Sequence, residues 1–309
     1  MPDANAAYRL GLDVGGTNLR LGVFLDSTLV EETRFQANYS AICKEFESAK
    51  AWQTILQVTA DAIRPLLDKY AGIQAIGIGF PGFIDPQTGV LAQSPNLPGL
   101  RNVNLSHDLG QLLGLPVRVE NDANAAAYGE FCHLSQPAGG LLYLGLGTGV
   151  GAGLVVNHHV WAGQHGYALE AGHIIVVPDG PLCGCGNQGC VEQYASATGI
   201  SRAYADLAGQ TLSAQEIALA AQNGDPQAQA VYADAGSKLA QMLATVLKVI
   251  DIENVVIGGG VVAAWPLMQP ALAQRLEQDL IPVLRGKIKV HVSHTGDIAA
   301  MLGAALLAS

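Results

Sequence analysis

The sequence has few charged residues and no long apolar run. Only 14% of its 309 residues are charged, and 16 basic residues against 26 acidic ones give a net charge of −10. Nucleic acids and anionic membrane surfaces select for clustered Lys and Arg, so neither is an expected partner. No apolar stretch approaches the ~18 residues that cross a bilayer. Any phosphate should therefore be held by backbone amides and metal ions rather than by a basic patch.

Targeting signals and domain linkers are also missing. The opening residues, MPDANAAYRL, lack the basic segment and apolar core of a signal peptide. Five cysteines give no even set of disulfides, which fits a reducing compartment. We therefore expect a soluble, cytoplasmic protein. Its length favours two domains, although no Gly/Ser-rich or Pro-rich segment separates them.

The most informative stretch runs from Glu170 to Glu192, EAGHIIVVPDGPLCGCGNQGCVE. Its glycines permit tight turns that bring ligands together. Three thiols and one imidazole are the ligands of a closed, structural zinc site. A redox pair or buried thiols would be the alternative, but the C-x-x-C spacing of redox motifs is absent. We predict a zinc ion that holds Glu170 and Glu192 side by side as hydrogen-bond acceptors. The predicted metal ligands are His173, Cys183, Cys185 and Cys190.

A pattern of strand, glycine turn and strand occurs twice. LGLDVGGT at Leu10–Thr17 aligns with LGLGTGVG at Leu144–Gly151, 134 residues later. One such turn is an ordinary hairpin, but its repetition predicts two domains with one core topology. A third glycine turn, Gly258–Gly260, follows a predicted strand at Asn254–Ile257. The N–H groups of such turns approach phosphates, so together with Asp13 they predict a site for a nucleotide and its metal.

Asp122 is the candidate general base. It follows a predicted strand at Val117–Glu120 and precedes a predicted helix, a corner where first-turn amides hold a carboxylate. Phosphoryl transfer to an alcohol needs positioned phosphates, Mg²⁺ and a carboxylate that accepts the hydroxyl proton. Glu170 and Glu192 add acceptors for further hydroxyls. The residues therefore indicate a kinase that acts on a polyhydroxylated substrate.

Eight motifs, in one order along essentially the whole chain, resemble the ROK family of bacterial sugar kinases and repressors. They are DVGGTN (Asp13–Asn18), GFPG (Gly79–Gly82), ENDANAAAYGE (Glu120–Glu130), LGTGVGAG (Leu146–Gly153), EAGH (Glu170–His173), CGCGNQGCVE (Cys183–Glu192), IGGGV (Ile257–Val261) and GDIAAMLGAAL (Gly296–Leu306). The cysteine and EAGH motifs are highly specific to that family. The resemblance implies an α/β, actin-like ATPase fold of the ribonuclease-H-like type, with two similar domains around a cleft.

The resemblance also implies the role of individual residues. Asp122 would be the catalytic base of an ATP-dependent hexose kinase that uses Mg²⁺, and the family implies a homodimer. The residues implied in sugar binding are Asn96, Asn121, Glu170, His173 and Glu192. Those implied in binding Mg-ATP are Asp13, Gly15, Gly16, Thr17, Gly147, Thr148, Gly149, Gly258, Gly259 and Gly260.

The domain boundaries and the choice of sugar follow less directly. We expect a smaller domain of residues 1–121 plus 297–309 and a larger one of residues 122–296 that carries the zinc loop. The loop SPNLPGLRNVNL, residues 94–105, most resembles that of glucokinases in the family, which favours glucose as the substrate and its 6-hydroxyl as the acceptor. Allose kinases share SPNLP, and kinases of N-acetylglucosamine, N-acetylmannosamine and fructose share the catalytic motifs.

Two roles without catalysis are the alternatives. Repressors of the family carry a helix-turn-helix segment before the DxGGT motif, whereas twelve residues precede Asp13 in this acidic chain. A sugar sensor would be expected to have lost Asp122 or a glycine turn, and both are present. Every group that the transfer mechanism requires is in the sequence, which favours the enzyme.

Overall fold

Two five-stranded sheets with one strand order form the frame of the protein. The structure is a computed structural model that describes residues 6–94, 97–296 and 298–308. Its strands are β1 (Tyr8–Val14), β2 (Asn18–Leu25), β3 (Thr28–Gln36), β4 (Ile76–Phe80), β5 (Phe83–Ile84), β6 (Leu91–Gln93), β7 (Arg101–Val103), β8 (Val117–Asn121), β9 (Leu141–Leu146), β10 (Val150–Val156), β11 (His159–Val160), β12 (Asn254–Gly258) and β13 (Lys289–Val292).

Helices alternate with the strands along the chain. They are α1 (Tyr39–Glu45), α2 (Ser48–Lys69), α3 (Leu105–Leu113), α4 (Asp122–His133), α5 (Glu192–Ala195), α6 (Ala197–Ala208), α7 (Ala214–Gln222), α8 (Pro226–Ile250), α9 (Trp265–Asp279) and α10 (Ile298–Leu307). Short 3₁₀ turns lie at Ala171–His173, Gly260–Ala264 and Pro282–Leu284. No helix in the described ranges combines the length and apolar character needed to cross a bilayer.

The two large sheets repeat one topology, as the duplicated glycine motif predicts. The first has the order β3-β2-β1-β4-β8 and the second the order β11-β10-β9-β12-β13. In each, three strands are parallel: β1, β4 and β8 in the first, and β9, β12 and β13 in the second. A third sheet, β5-β6-β7, is small and antiparallel. The prediction of two similar cores is confirmed.

The chain forms two compact units. One contains Met1–Ala138, Gly153–Ala168 and Thr295–Ser309, and the other contains Gly139–Ala152 and Leu169–His294. This division differs from the expected one, in which residues 122–296 formed the larger domain. Helix α4 groups with the first unit because it packs along α10.

Helix α10 is packed against backbone in the first unit. Added Cβ atoms at Gly11 in β1 and Gly77 in β4 would overlap carbonyl oxygens of α10. Helices α4 and α10 approach each other equally closely. A Cβ at Gly129 of α4 would overlap Ala299 O, and one at Gly303 of α10 would overlap Ala125 O. Glycine is required at these positions for close approach rather than for an unusual φ. The approach fixes α4, and with it the residue that begins α4, relative to β1 and β4.

Helix α8 is the central helix of the second unit. Asp225 caps it by accepting hydrogen bonds from Gln227 N and Ala228 N at 2.8 and 3.2 Å, and Pro226 occupies the first turn, as predicted. Several of its apolar side chains, including Leu239 and Leu243, are fully buried. The sequence pattern gave no signal for α1 or for the small sheet, because elements of two to seven residues show too little periodicity.

Replacing Gly303 with Ala should destabilise the first unit. The new methyl group would meet Ala125 O, which is backbone and cannot rotate away, so we expect a loss of about 1–3 kcal/mol in the free energy of unfolding. Urea unfolding followed by circular dichroism measures this. The control is Gly110→Ala in α3, where the nearest atom to the added Cβ lies at 3.2 Å and the gain in helix propensity offsets the contact. Equal stability of Gly303→Ala and wild type would contradict the packing described.

Candidate active site

Asp122 lies where β8 passes directly into α4. The preceding residue, Asn121, is the N-cap of α4, and its Oδ1 accepts from Ala123 N at 3.0 Å and Asn124 N at 3.1 Å. Its Nδ2 donates to Gly82 O at 3.2 Å, in the turn that follows β4. The corner is therefore fixed by backbone on two sides, which gives the Asp122 side chain a defined direction.

The environment of the Asp122 carboxyl makes it a stronger base than an ordinary aspartate. Burial raises its pKa, against the opposing effect of hydrogen bonds from the backbone N–H groups of Ala123 and of Asp122 itself. The bond from Ala123 N to Asp122 Oδ1 measures 2.9 Å. A carboxylate with a raised pKa is better matched to accepting a proton near neutral pH.

Asp13 lies in the same unit, near the end of β1. Its neighbour across the hairpin is Arg20 in β2, with Arg20 Nη1 3.7 Å from Asp13 Oδ2. The turn between them is closed by Gly15 N donating to Asn18 O at 2.8 Å. Arg20 was missed as a site residue. Its signal was available, because a hairpin centred between Gly16 and Thr17 pairs position 13 with position 20.

Asn96, predicted to bind sugar, lies outside the described residues. The flanking Ser94 is 3% exposed, and its hydroxyl has no hydrogen-bond partner among the described residues. Leu97 N donates to Ser94 O at 3.3 Å.

The second unit brings its two glycine turns to one edge of the second sheet. Gly258 of β12 pairs with Gly145 of β9 in parallel, so the turns at 147–149 and 258–260 leave neighbouring strands at the same end. Helix α6 begins beside the first turn, with Ala197 N donating to Gly147 O at 2.8 Å. Gly259 has a φ of 86° and an added Cβ would overlap the backbone of Leu146, so no larger residue fits there. The arrangement places the two glycine turns on neighbouring strands at one edge of the sheet.

The predicted metal ligands converge in the second unit. One ligand atom from each of His173, Cys183, Cys185 and Cys190 lies within 4.8 Å of all the others. Cys183 Sγ is 3.5 Å from His173 Nδ1, and Cys185 Sγ is 3.7 Å from Cys190 Sγ. The edge of a tetrahedron with Zn–S bonds of about 2.3 Å is roughly 3.8 Å. The spacing of the donors therefore fits a tetrahedral zinc ion.

Local backbone bonds shape this cluster. Cys183 N donates to Asn187 O at 2.8 Å and Gly186 N donates to Cys183 O at 3.0 Å, which folds the segment into a tight knuckle. Gly189 has a φ of 74° and lies against Val177 O, where a side chain would not fit. Burial beside two other sulfurs raises the pKa of Cys190 to about 12, so a thiolate there is stable only next to a cation.

One ring nitrogen of His173 faces the cluster, and the other faces Glu170. Nδ1 is directed at Cys183, and Nε2 lies 3.8 Å from Glu170 Oε2. A carboxylate beside the second ring nitrogen is the usual arrangement around a metal-bound histidine. The cluster therefore holds Glu170, whose side chain is 46% exposed, next to an imidazole of fixed orientation.

Glu192 connects the cluster with the first glycine turn of this unit. Its Oε2 accepts from Val150 N at 3.0 Å, and its Oε1 lies 3.7 Å from Cys183 Sγ. A Cβ at Gly149 would come within 2.5 Å of Glu192 Oε2, so the glycine is required for this contact. Glu192 thus touches both the metal ligands and the turn predicted to bind phosphate.

Comparison with known proteins shows which family the chain resembles along its whole length. The profile described as the ROK family matches residues 9–309. A glucokinase from Thermotoga maritima is 31% identical, with 96% of this chain and 95% of that protein covered. An N-acetyl-D-glucosamine kinase from Salmonella heidelberg is 35% identical, with 96% and 98% covered. A ROK family glucokinase from Streptomyces griseus, solved in complex with glucose and AMPPNP, superimposes with a TM-score of 0.81 at 30% identity, with 97% and 99% of the two chains covered.

Asp122→Asn should not destabilise the protein at pH 7. Because the folded-state pKa of Asp122 is raised, the protonated carboxyl stabilises the fold at low pH and that contribution is lost as the pH rises through the raised value. An ionised carboxylate here carries a desolvation cost that the neutral amide lacks. Thermal melts at pH 7 should give an equal or higher Tm for Asp122→Asn than for wild type, with the difference narrowing as the pH is lowered.

The matched control is Asp26→Asn, which removes an exposed carboxylate from the same unit and should leave the Tm unchanged. A Tm for Asp122→Asn several degrees below wild type at pH 7 would contradict the assignment of a desolvated, destabilising charge.

Proposed function

The chain belongs to the ROK family and is an ATP-dependent sugar kinase with an actin-like fold, and we propose that its acceptor is the 6-hydroxyl of glucose. The observation that carries the assignment of its base is Asp122, a carboxylate of raised pKa on a corner fixed by Asn121. Glucose is favoured because two of the relatives are named glucokinases and the loop at residues 94–105 resembles that class.

Asp122 is the proposed general base of the transfer. The sugar oxygen forms a bond to the γ-phosphorus of ATP, its proton passes to Asp122, and the bond from the γ-phosphorus to the bridging oxygen breaks to release ADP. Asn121 can take part in sugar binding with the one Nδ2 hydrogen that the bond to Gly82 O leaves over. The sugar-binding role of Asn96 is proposed on the basis of the sequence alone.

Backbone amides of the glycine turns are proposed to hold the phosphates. In the first unit the turn is Gly15, Gly16 and Thr17, in which Gly15 N already donates to Asn18 O. In the second unit the turns are Gly147–Gly149, in which Gly147 N already donates to Gly149 O, and Gly258–Gly260, so the remaining amides of these turns are the proposed donors. Mg²⁺ bound with ATP would neutralise the charge that develops on the phosphates, and Asp13 would hold it. The net charge of −10 and the lack of a basic patch support recognition by amides and metal rather than by Lys side chains.

Glu170, His173 and Glu192 are proposed to bind the sugar hydroxyls. Glu170 offers acceptors beside His173 and Glu192 offers them beside Cys183, and the Glu170 side chain is 46% exposed. Stereoisomers of a hexose differ in which hydroxyl reaches which acceptor, so an unpaired acceptor would discriminate against the wrong sugar. N-acetylglucosamine is a second candidate substrate, because a relative that is 35% identical is named N-acetyl-D-glucosamine kinase.

Zinc is proposed as the resident metal of the Cys/His cluster. With four protein ligands its coordination would be complete, which makes its role structural. It would hold His173 and thereby orient Glu170, so that metal and sugar binding depend on one loop. A cytoplasmic homodimer completes this proposal, and gel filtration with light scattering would measure the assembly.

The substrate is tested by coupled ADP detection with Mg²⁺ across a panel of sugars: glucose, mannose, allose, fructose, N-acetylglucosamine and N-acetylmannosamine. We expect turnover of glucose well above the others, and a fall in kcat of about 10²–10⁴-fold in Asp122→Asn, since the amide accepts no proton. The rate should also fall on the acid side through a pKa above that of an ordinary aspartate.

Asp26→Asn serves again as the control and should keep wild-type kcat. Preference for N-acetylglucosamine would replace glucose in the proposal and leave the kinase assignment intact. No turnover of any sugar by folded protein would overturn the substrate class and favour a sugar sensor.

The metal is tested by elemental analysis of the purified protein. We expect about one zinc per chain in wild type and near-complete loss in Cys190→Ser, because three ligands bind zinc far more weakly than four. The control is Cys132→Ser, a thiol outside the cluster, which should keep the zinc. Zinc-free wild type, or full zinc in Cys190→Ser, would contradict the proposed ligand set.

A further inference from the structure

Leu169, immediately before Glu170, has an unusual backbone conformation. Its φ is 63°, in the left-handed region, where a Cβ approaches the carbonyl oxygen. The other non-glycine residues with positive φ in the described ranges are Asp, Asn, Ser, Gln or His, and none is aliphatic. A bulky apolar residue rarely adopts this conformation unless surrounding structure imposes it.

The residues that follow Leu169 are tied to the metal cluster. Ala171 N donates to Leu169 O at 2.6 Å and His173 N donates to Glu170 O at 3.0 Å, which forms the 3₁₀ turn ending at the ligand His173. Val191 N donates to Ile174 O at 2.9 Å, which joins the turn to the segment that carries Cys190. The chain after Leu169 is thus fixed by the cluster, and Leu169 takes up the resulting strain.

The backbone of β10 fixes the turn from a second side. Gly172 packs against Val150, and an added Cβ there would overlap Val150 O. Ala171 is 2% exposed. The turn therefore cannot shift to relieve Leu169 while His173 stays among the thiols. Relief requires His173 to leave the cluster, and Glu170 moves with it.

We propose that Leu169 is a positioning residue that makes the placement of Glu170 depend on the metal. With the metal bound, His173 fixes the turn, Leu169 is held at positive φ, and Glu170 faces His173 Nε2. Without the metal, Leu169 relaxes to negative φ and Glu170 turns away from its place. This rests on the proposed function in one respect, that Glu170 binds the sugar.

Metal affinity tests the strain without any sugar or nucleotide. If metal binding forces Leu169 into the left-handed region, a residue that adopts it freely should bind zinc more tightly. Leu169→Gly should bind zinc about 5-fold more tightly than wild type, after allowing for the extra freedom of glycine in the metal-free chain. Competition with a chromophoric chelator measures this affinity.

Leu169→Ala is the matched control, because it removes the side chain but keeps the Cβ that causes the strain. We expect its zinc affinity within about twofold of wild type, with Leu169→Asn between Ala and Gly because Asn tolerates positive φ. If the Leu169 side chain acted through packing alone, the order of zinc affinities would be reversed and Leu169→Gly would bind zinc most weakly. Equal affinities for Gly and Ala, or glycine weakest, would overturn the proposal.

Sugar affinity of metal-free protein tests the positioning of Glu170. On chelation, wild type and Leu169→Ala should lose more sugar affinity than Leu169→Gly, by about 5-fold, measured by calorimetry with glucose and N-acetylglucosamine. The sugar affinities of the three zinc-loaded proteins should agree within about twofold, since the metal then imposes one geometry on Glu170. An equal loss of sugar affinity in all three proteins would contradict the positioning role of Leu169. Failure of zinc-loaded wild type to bind either sugar would contradict the proposed substrate instead, and the zinc affinities would still decide the origin of the strain.

Discussion

Parallel pairing of strands is the constraint on which the candidate functional residues of each unit depend. In the first sheet, Asp13 of β1 lies level with Gly79 of β4, and Gly79 lies level with Glu120 of β8. Because the three strands run in one direction, the turn after Asp13, the turn containing Gly82 and the corner at Asp122 lie at one edge. The second sheet does the same with its two glycine turns. Groups far apart in sequence are thereby brought to one end of each sheet before any side chain makes a specific contact.

The cysteine loop adds what a sheet edge cannot provide. Main-chain turns offer N–H donors to phosphate, but a sugar needs acceptors of fixed direction. The loop holds His173 between the thiols and Glu170, and holds Glu192 between Cys183 and Val150 N. The two carboxylates are thus positioned beside four ligand atoms that lie within 4.8 Å of one another.

The sequence was most informative where one residue type allows one geometry. Repeated glycine turns predicted two sheets of one order, and Cys/His spacing predicted the cluster. It was least informative where partners lie across a sheet or a turn. Arg20 opposite Asp13 follows from hairpin register, and the capping role of Asn121 follows from where α4 begins. The strain at Leu169 has no signal in the residue itself, since it arises from tethering of the chain that follows.

The packing of α10 has a consequence for the order of synthesis. Its carbonyl groups lie directly against Gly11, Gly77 and Gly129, which precede it by well over a hundred residues, and the whole second unit is made in between. A chain emerging from the ribosome therefore has its first sheet and α4 long before the helix that covers them. The second unit, contained within residues 139–294, needs nothing that comes after it. During synthesis the second unit would thus fold first. The first unit would remain incomplete, with its apolar surface accessible to chaperones, until α10 has been synthesised.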